Sequence, residues 1–244
     1  YGVGEMVADA IKRGCQHIVM GIGGSATCDG GIGMIKALEE NDCLSSSCRI
    51  TVACDVTNPL YGPNGAAYVF APQKGATPEQ VIELDNRLKQ FAHDTENKGL
   101  ASKEMAFYPG AGAAGGLGYA LLTYLKAELK SGIDIVLDIS NFDKALTESD
   151  LVITGEGKSD HQTMMGKVPS GVLHLCKKRQ TPVWLMSGSI DDTQGNLSKN
   201  FDLVKSINEN DNRSLDILMQ KEVALANLSR CIQKYLQTIF PSKR

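Results

Sequence analysis

A chain of 244 residues, 42% of them apolar, has enough material for one large globular domain or two of ordinary size. A net charge of −3 and an isoelectric point near 5.8 exclude the broad basic field of a general nucleic-acid or anionic-membrane binder, so any anion site is local. The seven cysteines, at 15, 28, 43, 48, 54, 176 and 231, are odd in number and show no C-x-x-C spacing. That sets aside a disulfide framework and a common zinc site and points to reduced, mostly buried thiols in a cytoplasmic protein. No uninterrupted apolar run is long enough to cross a bilayer, and the first residues do not form a signal sequence.

In chain order, 4–13 places Met6, Val7, Ala10 and Ile11 on one helical face and ends at Gly14. Opening an α/β chain on a helix suggests a start inside a domain. A short β-rich run, Ile18–Met20, then opens into a loop with glycine at 21, 23, 24, 30, 31 and 33, which leaves little side-chain bulk around Ser25, Thr27 and Asp29. Helical spacing resumes at Met34, Ile35 and Leu38, so the loop reads as a phosphate or carboxylate site at a helix start. Residues 41–48 read as a connection and 50–54 as a buried strand. The turn-rich DVTNPLYGPNG at 55–65 follows, with Asp55 at the strand end.

Thr77, Pro78 and Gln80 give a capping box with proline in the first turn, and Val81, Leu84, Leu88 and Phe91 keep helical spacing. A second glycine–alanine loop, PGAGAAGGLG at 109–118, feeds an apolar helix over 119–129. Ile133–Leu137 reads as a strand, 142–146 as a helical turn and 151–154 as a buried strand ending at Gly155. Lys126–Lys130 and the charged face of the last helix read as solvated surface. A helix over 168–178, strands over 182–186 and 203–207, and a long terminal helix capped by Ser214 complete a layered α/β pattern with a parallel sheet. The change to regular alternation near Ser140 is the candidate domain boundary, giving 1–140 and 141–244.

Two nucleotide fingerprints match only in part. Gly21, Gly23 and Ala26 match G-x-G-x-x-A, but the acids at ribose distance, Glu39 and Glu40, close a helix instead of ending a strand. Gly157-Lys158-Ser159 ends like a P-loop, yet the glycine that motif needs is replaced by Val152 inside a strand. The segment GEGKSDHQTMMGKVPSG at 155–171 concentrates Glu156, Lys158, Asp160, His161, Gln162, Thr163 and Lys167 at a strand end. It supplies the cations and carboxylates that phosphoryl transfer uses, although a solvated polar loop fits it too. Asp55, Thr57 and Asn58 suit Mg²⁺ or substrate hydroxyls and equally suit a turn.

With those segments quoted, the chain resembles the bacterial type I glycerate kinase family. The resemblance rests on GIGGSATCDGGIGM at 21–34, ACDVTNPLYGPNGAAYVFAPQKGA at 53–76, PGAGAAGGLG at 109–118 and DLVITGEGKSDHQTMMGKVPSGV at 150–172. It implies ATP-dependent, Mg²⁺-assisted phosphorylation of glycerate, with 2-phosphoglycerate favoured over 3-phosphoglycerate as product. It further implies a two-domain α/β fold in which a mixed domain, here 1–140, is inserted into a flavodoxin-like parallel-sheet domain whose C-terminal half is 141–244. Substrate and phosphates then occupy the cleft between the domains.

The resemblance places a phosphate and substrate cradle at Gly23, Gly24, Ser25 and Thr27, with Thr57, Asn58, Lys158, Gln162 and Thr163 binding substrate or phosphate. Asp29 and Asp55 are metal or substrate carboxylates, Asp29 also being catalytic. Asp160 accepts the glycerate hydroxyl proton, and Lys167 balances phosphate charge. Where members read GEGRxDxQT this chain has Lys158 and Ser159, and Cys28 stands at a frequent asparagine position; the Ser-Phe-Lys-Gly-type opening segment has no counterpart, which implies a truncated member. The rival readings are a dinucleotide-dependent oxidoreductase and a non-catalytic binding module. The expected partners are glycerate and ATP rather than nucleic acid or membrane, with a homo-oligomer left open.

Overall fold

The computed structural model describes residues 1–239 and divides into two compact units, one over Tyr1–Gly132 and one from Ile133 onward. The sequence reading put the division at 140/141; of its second domain, residues 240–244 lie outside the described chain. The protein is a mixed α/β structure with parallel sheets.

In the first unit, β1 (His17–Gly21), β2 (Arg49–Ala53) and β3 (Glu128–Lys130) form a parallel sheet in that order. β2 is central, and its Ile50, Thr51 and Val52 are buried, as a strand covered on both faces requires. Helices α1 (Gly2–Lys12) and α2 (Ile32–Glu40) bury Val7, Ala8, Met34, Ile35 and Leu38 against Ile50 and Val52. A second cluster joins α3 (Ala66–Phe70), α4 (Pro78–Asn97) and α5 (Ala113–Tyr124) around Leu60, Leu88 and Tyr119. The capping box at Thr77 forms as its residues dictate: Thr77 Oγ1 accepts the Gln80 amide and Gln80 Oε1 accepts the Thr77 amide.

Ile133–Leu137 is not a strand but lies in helix α6 (Gly132–Ile139). The position beside β2 is filled by Glu128–Lys130, part of the stretch read as solvated surface, which pairs from Thr51↔Glu128 to Ala53↔Lys130. Ile133 and Leu137, four residues apart and so on one helical face, pack with Leu146 and Leu173.

The second unit continues with α7 (Phe142–Leu146), β4 (Val152–Thr154), β5 (Lys158–Ser159), α8 (Val168–Arg179), β6 (Val183–Ser187), β7 (Ser189–Ile190), α9 (Asn196–Asn200), β8 (Leu203–Ser206), α10 (Leu215–Leu218) and α11 (Lys221–Ile239). Its parallel sheet has the order β4-β6-β8, and every residue of β6 is buried. Alternation along β6 explains why: Val183 and Leu185 join Val172, Leu173 and Cys176 of α8, while Trp184 and Met186 join Leu228 and Cys231 of α11. The terminal helix is broken after Leu218. Ser214 is the N-cap of the short α10, without a side-chain capping bond.

Among the described residues no helix is long and apolar enough to cross a membrane. Three of the seven thiols are buried, Cys43, Cys176 and Cys231; Cys28, Cys48 and Cys54 are half-buried and Cys15 is exposed, so the expectation of mostly buried cysteines does not hold.

Candidate functional site

Ligands of parallel sheets sit beyond the carboxyl ends of the strands. In the first unit that edge carries a cavity of about 320 Å³. Its wall is made by Gly23, Gly24 and Ser25 from the loop after β1, Asp55 from the loop after β2, Lys74 beyond α3 and Ala114 at the start of α5. Its polar side chains are Ser25, Asp55, Gln73 and Lys74. Lys74 Nζ donates to Ser25 Oγ at 2.7 Å and to the Thr27 carbonyl at 2.6 Å. Asp55 Oδ1 accepts the Gly132 amide at 2.8 Å, which ties the ends of β2 and β3 together at the rim.

The two glycine loops build this wall jointly. Ala114, Gly115 and Gly116 all take left-handed backbone, with φ of 53°, 71° and 92°. The turn they make brings the Gly115 carbonyl onto the Gly30 amide at 3.0 Å, and the Asn58 carbonyl accepts the Gly112 amide at 2.9 Å. A side chain at Gly115 would meet the Thr27 carbonyl oxygen at 2.1 Å, so this contact is between backbones and only glycine allows it.

The helix start after the first loop is not an open anion site. Asp29 Oδ1 accepts the Gly31 amide and Oδ2 the Gly33 amide, each at 3.1 Å, so the anion at the α2 N-terminus is the chain's own carboxylate. Asp29 thus holds the loop, and it is not among the residues lining the cavity. Thr27 contributes its carbonyl to Lys74, and Asn58 spends its side-chain amide on the Asn64 carbonyl at 2.9 Å. Val56, not Thr57, lines the cavity from this loop.

Burial pushes the Lys74 ammonium below the ordinary lysine value, with Cys28 and Asp29 opposing the shift. Burial also pushes the Cys28 and Cys54 thiols up, so both are protonated at neutral pH and neither is an activated nucleophile. Among the described residues no group of three or more His, Cys, Asp or Glu stands ready to hold a metal ion. Mg²⁺ asks less, one or two carboxylates beside water and phosphate oxygens, and Asp55 on the cavity wall fits that requirement.

The second unit places the segment after β4 just as specifically. Gly155 runs so close to β6 that an added Cβ would lie 1.9 Å from the Met186 carbonyl oxygen. The Gly188 and Ser189 amides then bond the Glu156 and Gly157 carbonyls at 3.1 and 3.0 Å. Glu156 is the centre of the resulting network, a role its position in the sequence did not reveal. Its Oε1 accepts from Thr163 Oγ1 at 2.6 Å and Ser159 Oγ at 3.1 Å, and its Oε2 lies 3.6 Å from Lys167 Nζ. Ser159 and Ser187 exchange a hydroxyl bond at 2.7 Å, and both, with Thr163, are buried.

Asp160 caps the next turn, accepting the Gln162 amide at 2.9 Å, and lies 3.9 Å from both Lys158 and Lys167. Thr163 was expected to bind substrate, but it is enclosed and its one proton goes to Glu156; it positions that carboxylate. His161 and Gln162 are exposed. Lys74 is the residue that sequence reasoning missed. Its signal was that it is the only cation between Ala53 and Ala76, next to a left-handed Gly75.

Sheet and cavity define an α/β protein whose first unit sets one hydroxyl, one side-chain amide, one cation and one carboxylate around a cavity at the carboxyl ends of its strands. The family model described as the glycerate kinase family matches residues 1–45 and 38–237. A protein named glycerate 2-kinase from Escherichia coli K12 is 43% identical over 221 residues, covering 80% of this chain and 58% of its own length. A glycerate kinase of Bacillus subtilis 168 is 44% identical over 216 residues, covering 78% of this chain and 56% of its own. A crystal structure from Salmonella typhimurium LT2 with a provisional glycerate kinase 2 label has a TM-score of 0.69 at 41% identity, covering 84% of this chain and 60% of that one. The chain belongs to the glycerate kinase family. It spans a little under three fifths of the E. coli and B. subtilis relatives.

Proposed function

We propose that this chain carries the acid-binding and phosphoryl-transfer groups of an ATP-dependent glycerate kinase. The observation that carries the reading is the cavity wall, where Ser25 offers a hydroxyl, Lys74 a cation and Asp55 a carboxylate. Glycerate is a small acid with two hydroxyls, and the cavity of about 320 Å³ has room for it. The name of the E. coli relative supports 2-phosphoglycerate as the product.

In this reading Gly23 and Gly24 let the loop backbone approach the ligand, and Ser25 donates to it. Asp55 would hold Mg²⁺, which when bound neutralises charge on the transferring phosphoryl group. Within the second unit we assign Asp160 as a proton acceptor and Lys158 and Lys167 as cations that balance phosphate charge. Glu156 keeps Lys167 in place, its own position fixed by the enclosed Ser159 and Thr163. We also assign the second unit to the returning half of a flavodoxin-like domain, in keeping with its parallel β4-β6-β8 sheet.

The dinucleotide reading loses support on geometry. A dinucleotide turn leads straight into a helix whose amides meet the pyrophosphate, whereas here α2 begins at Ile32, well after Gly23, and Asp29 occupies its amides. A coupled ADP-release assay with ATP, Mg²⁺ and glycerate tests the proposal. Release that depends on glycerate supports it, and stabilisation against unfolding by NAD but not by ATP and Mg²⁺ overturns it.

A further inference from the structure

We infer that Lys74 is a specificity-determining residue that orients the substrate, turning Ser25 into a donor aimed at a carboxylate so that the cavity selects small hydroxy acids over neutral polyols of the same size. The inference rests on the proposed function and extends it to a residue outside the motif roles above.

Counting hydrogen-bond capacity gives the first step. A lysine ammonium has three donors and no acceptor, whereas a serine hydroxyl has one donor and can accept two bonds. Lys74 spends one proton on Ser25 Oγ at 2.7 Å and one on the Thr27 carbonyl at 2.6 Å. Because Ser25 accepts from Lys74, its own proton is left for another partner. Both residues line the cavity, so a ligand at Ser25 meets a donor backed by positive charge.

The second step is the charge layout of the wall. Of the residues that line this cavity, Lys74 is the one cation and Asp55 the one carboxylate. Before any Mg²⁺ binds, an acid group is attracted to the Lys74 and Ser25 end and repelled from Asp55. A hydroxyl, which can donate to a carboxylate, fits the Asp55 end. A hydroxy acid therefore has one favoured direction in the cavity, whereas a neutral triol has none. Half-burial of the ammonium sharpens this, since a charge shielded from water acts more strongly on a bound anion.

The test uses this chain and three ligands, glycerate, glyceramide and glycerol, measured by calorimetric titration. Wild type is expected to bind glycerate at least tenfold more tightly than either neutral compound, the usual factor for a charge-assisted hydrogen bond. Lys74→Gln keeps a donor for Ser25 but removes the charge; it should weaken glycerate binding tenfold or more and leave glycerol unchanged. In the coupled assay that variant should raise KM for glycerate more than it lowers kcat. Lys74→Gln with glycerate affinity within threefold of wild type overturns the inference.

The wild-type comparison needs no variant to fold. Glyceramide bound as tightly as glycerate, by a protein that phosphorylates glycerate, overturns the inference and leaves the kinase reading intact. Failure of wild type to bind or phosphorylate glycerate overturns both.

Discussion

Replacing Gly115 by alanine tests whether the two glycine loops are held together backbone to backbone. The new Cβ would stand 2.1 Å from the Thr27 carbonyl oxygen and 2.7 Å from Cys28 Cα, on a residue whose φ is 71°. The left-handed conformation costs a non-glycine residue roughly 1–2 kcal/mol. Relieving the overlap means moving backbone, and forced overpacking typically adds about 1–3 kcal/mol. Gly62→Ala separates the two contributions, because Gly62 has φ of 93° but open space where its Cβ would go. Urea unfolding followed by circular dichroism should therefore show Gly115→Ala about 1–3 kcal/mol less stable than Gly62→Ala. Turnover should fall as well, since the displaced Thr27 carbonyl is a partner of Lys74. A Gly115→Ala midpoint equal to or above that of Gly62→Ala would refute the backbone-contact reasoning.

Three further outcomes are expected. Tyr119 is buried, and burial pushes its phenol up to about 12 against the opposing effect of Thr95, whose hydroxyl proton goes to the Phe91 carbonyl; among the described residues the Tyr119 hydroxyl makes no hydrogen bond of full geometry. Tyr119→Phe should thus be neutral or stabilising by up to about 1 kcal/mol, against a loss of roughly 3–5 kcal/mol for Tyr119→Ala, both read from urea midpoints. Asp160→Asn retains an oxygen for the Gln162 amide while removing the charge, so the fold should persist and turnover in the ADP-release assay should drop about a hundredfold. Burial of Asp192 raises its pKa, but bonds from the Ser198 hydroxyl and the Leu197, Ser198 and Asn196 amides outweigh it and hold the carboxyl below its ordinary value. Its contribution is present above the ordinary carboxylate range and is lost as pH falls through the depressed pKa. Asp192→Asn should accordingly lose stability at pH 7 and converge with wild type in acid.

Regular elements were legible where short-range chemistry decides them. The capping box at Thr77 and the apolar run Val183–Met186 of β6 are written in adjacent residues, and both form. Strand β3 was not legible, because Glu128 and Lys130 owe their place to the open edge of β2 and not to their own pattern. Ile133–Leu137 misled for the complementary reason, since a short apolar run does not distinguish a strand from a helix that packs on a neighbour.

At the site, glycine content correctly marked where backbones approach, and Ser25 and Asp55 do share a cavity. What the spacing could not show is how local bonds are spent. Asp29 looks like a free carboxylate until the Gly31 and Gly33 amides are placed, and Thr163 looks like a ligand until its burial against Glu156 is known. Lys74 is far from Ser25 in sequence, and only the fold brings them together.

A crystal structure of the chain grown with glycerate tests most directly whether the glycine-loop cavity is the acid site. The carboxylate should lie within hydrogen-bond distance of Ser25 Oγ, with a hydroxyl toward Asp55. Glycerate seated at saturating concentration on any other part of the first unit, with this cavity holding only water, would contradict it.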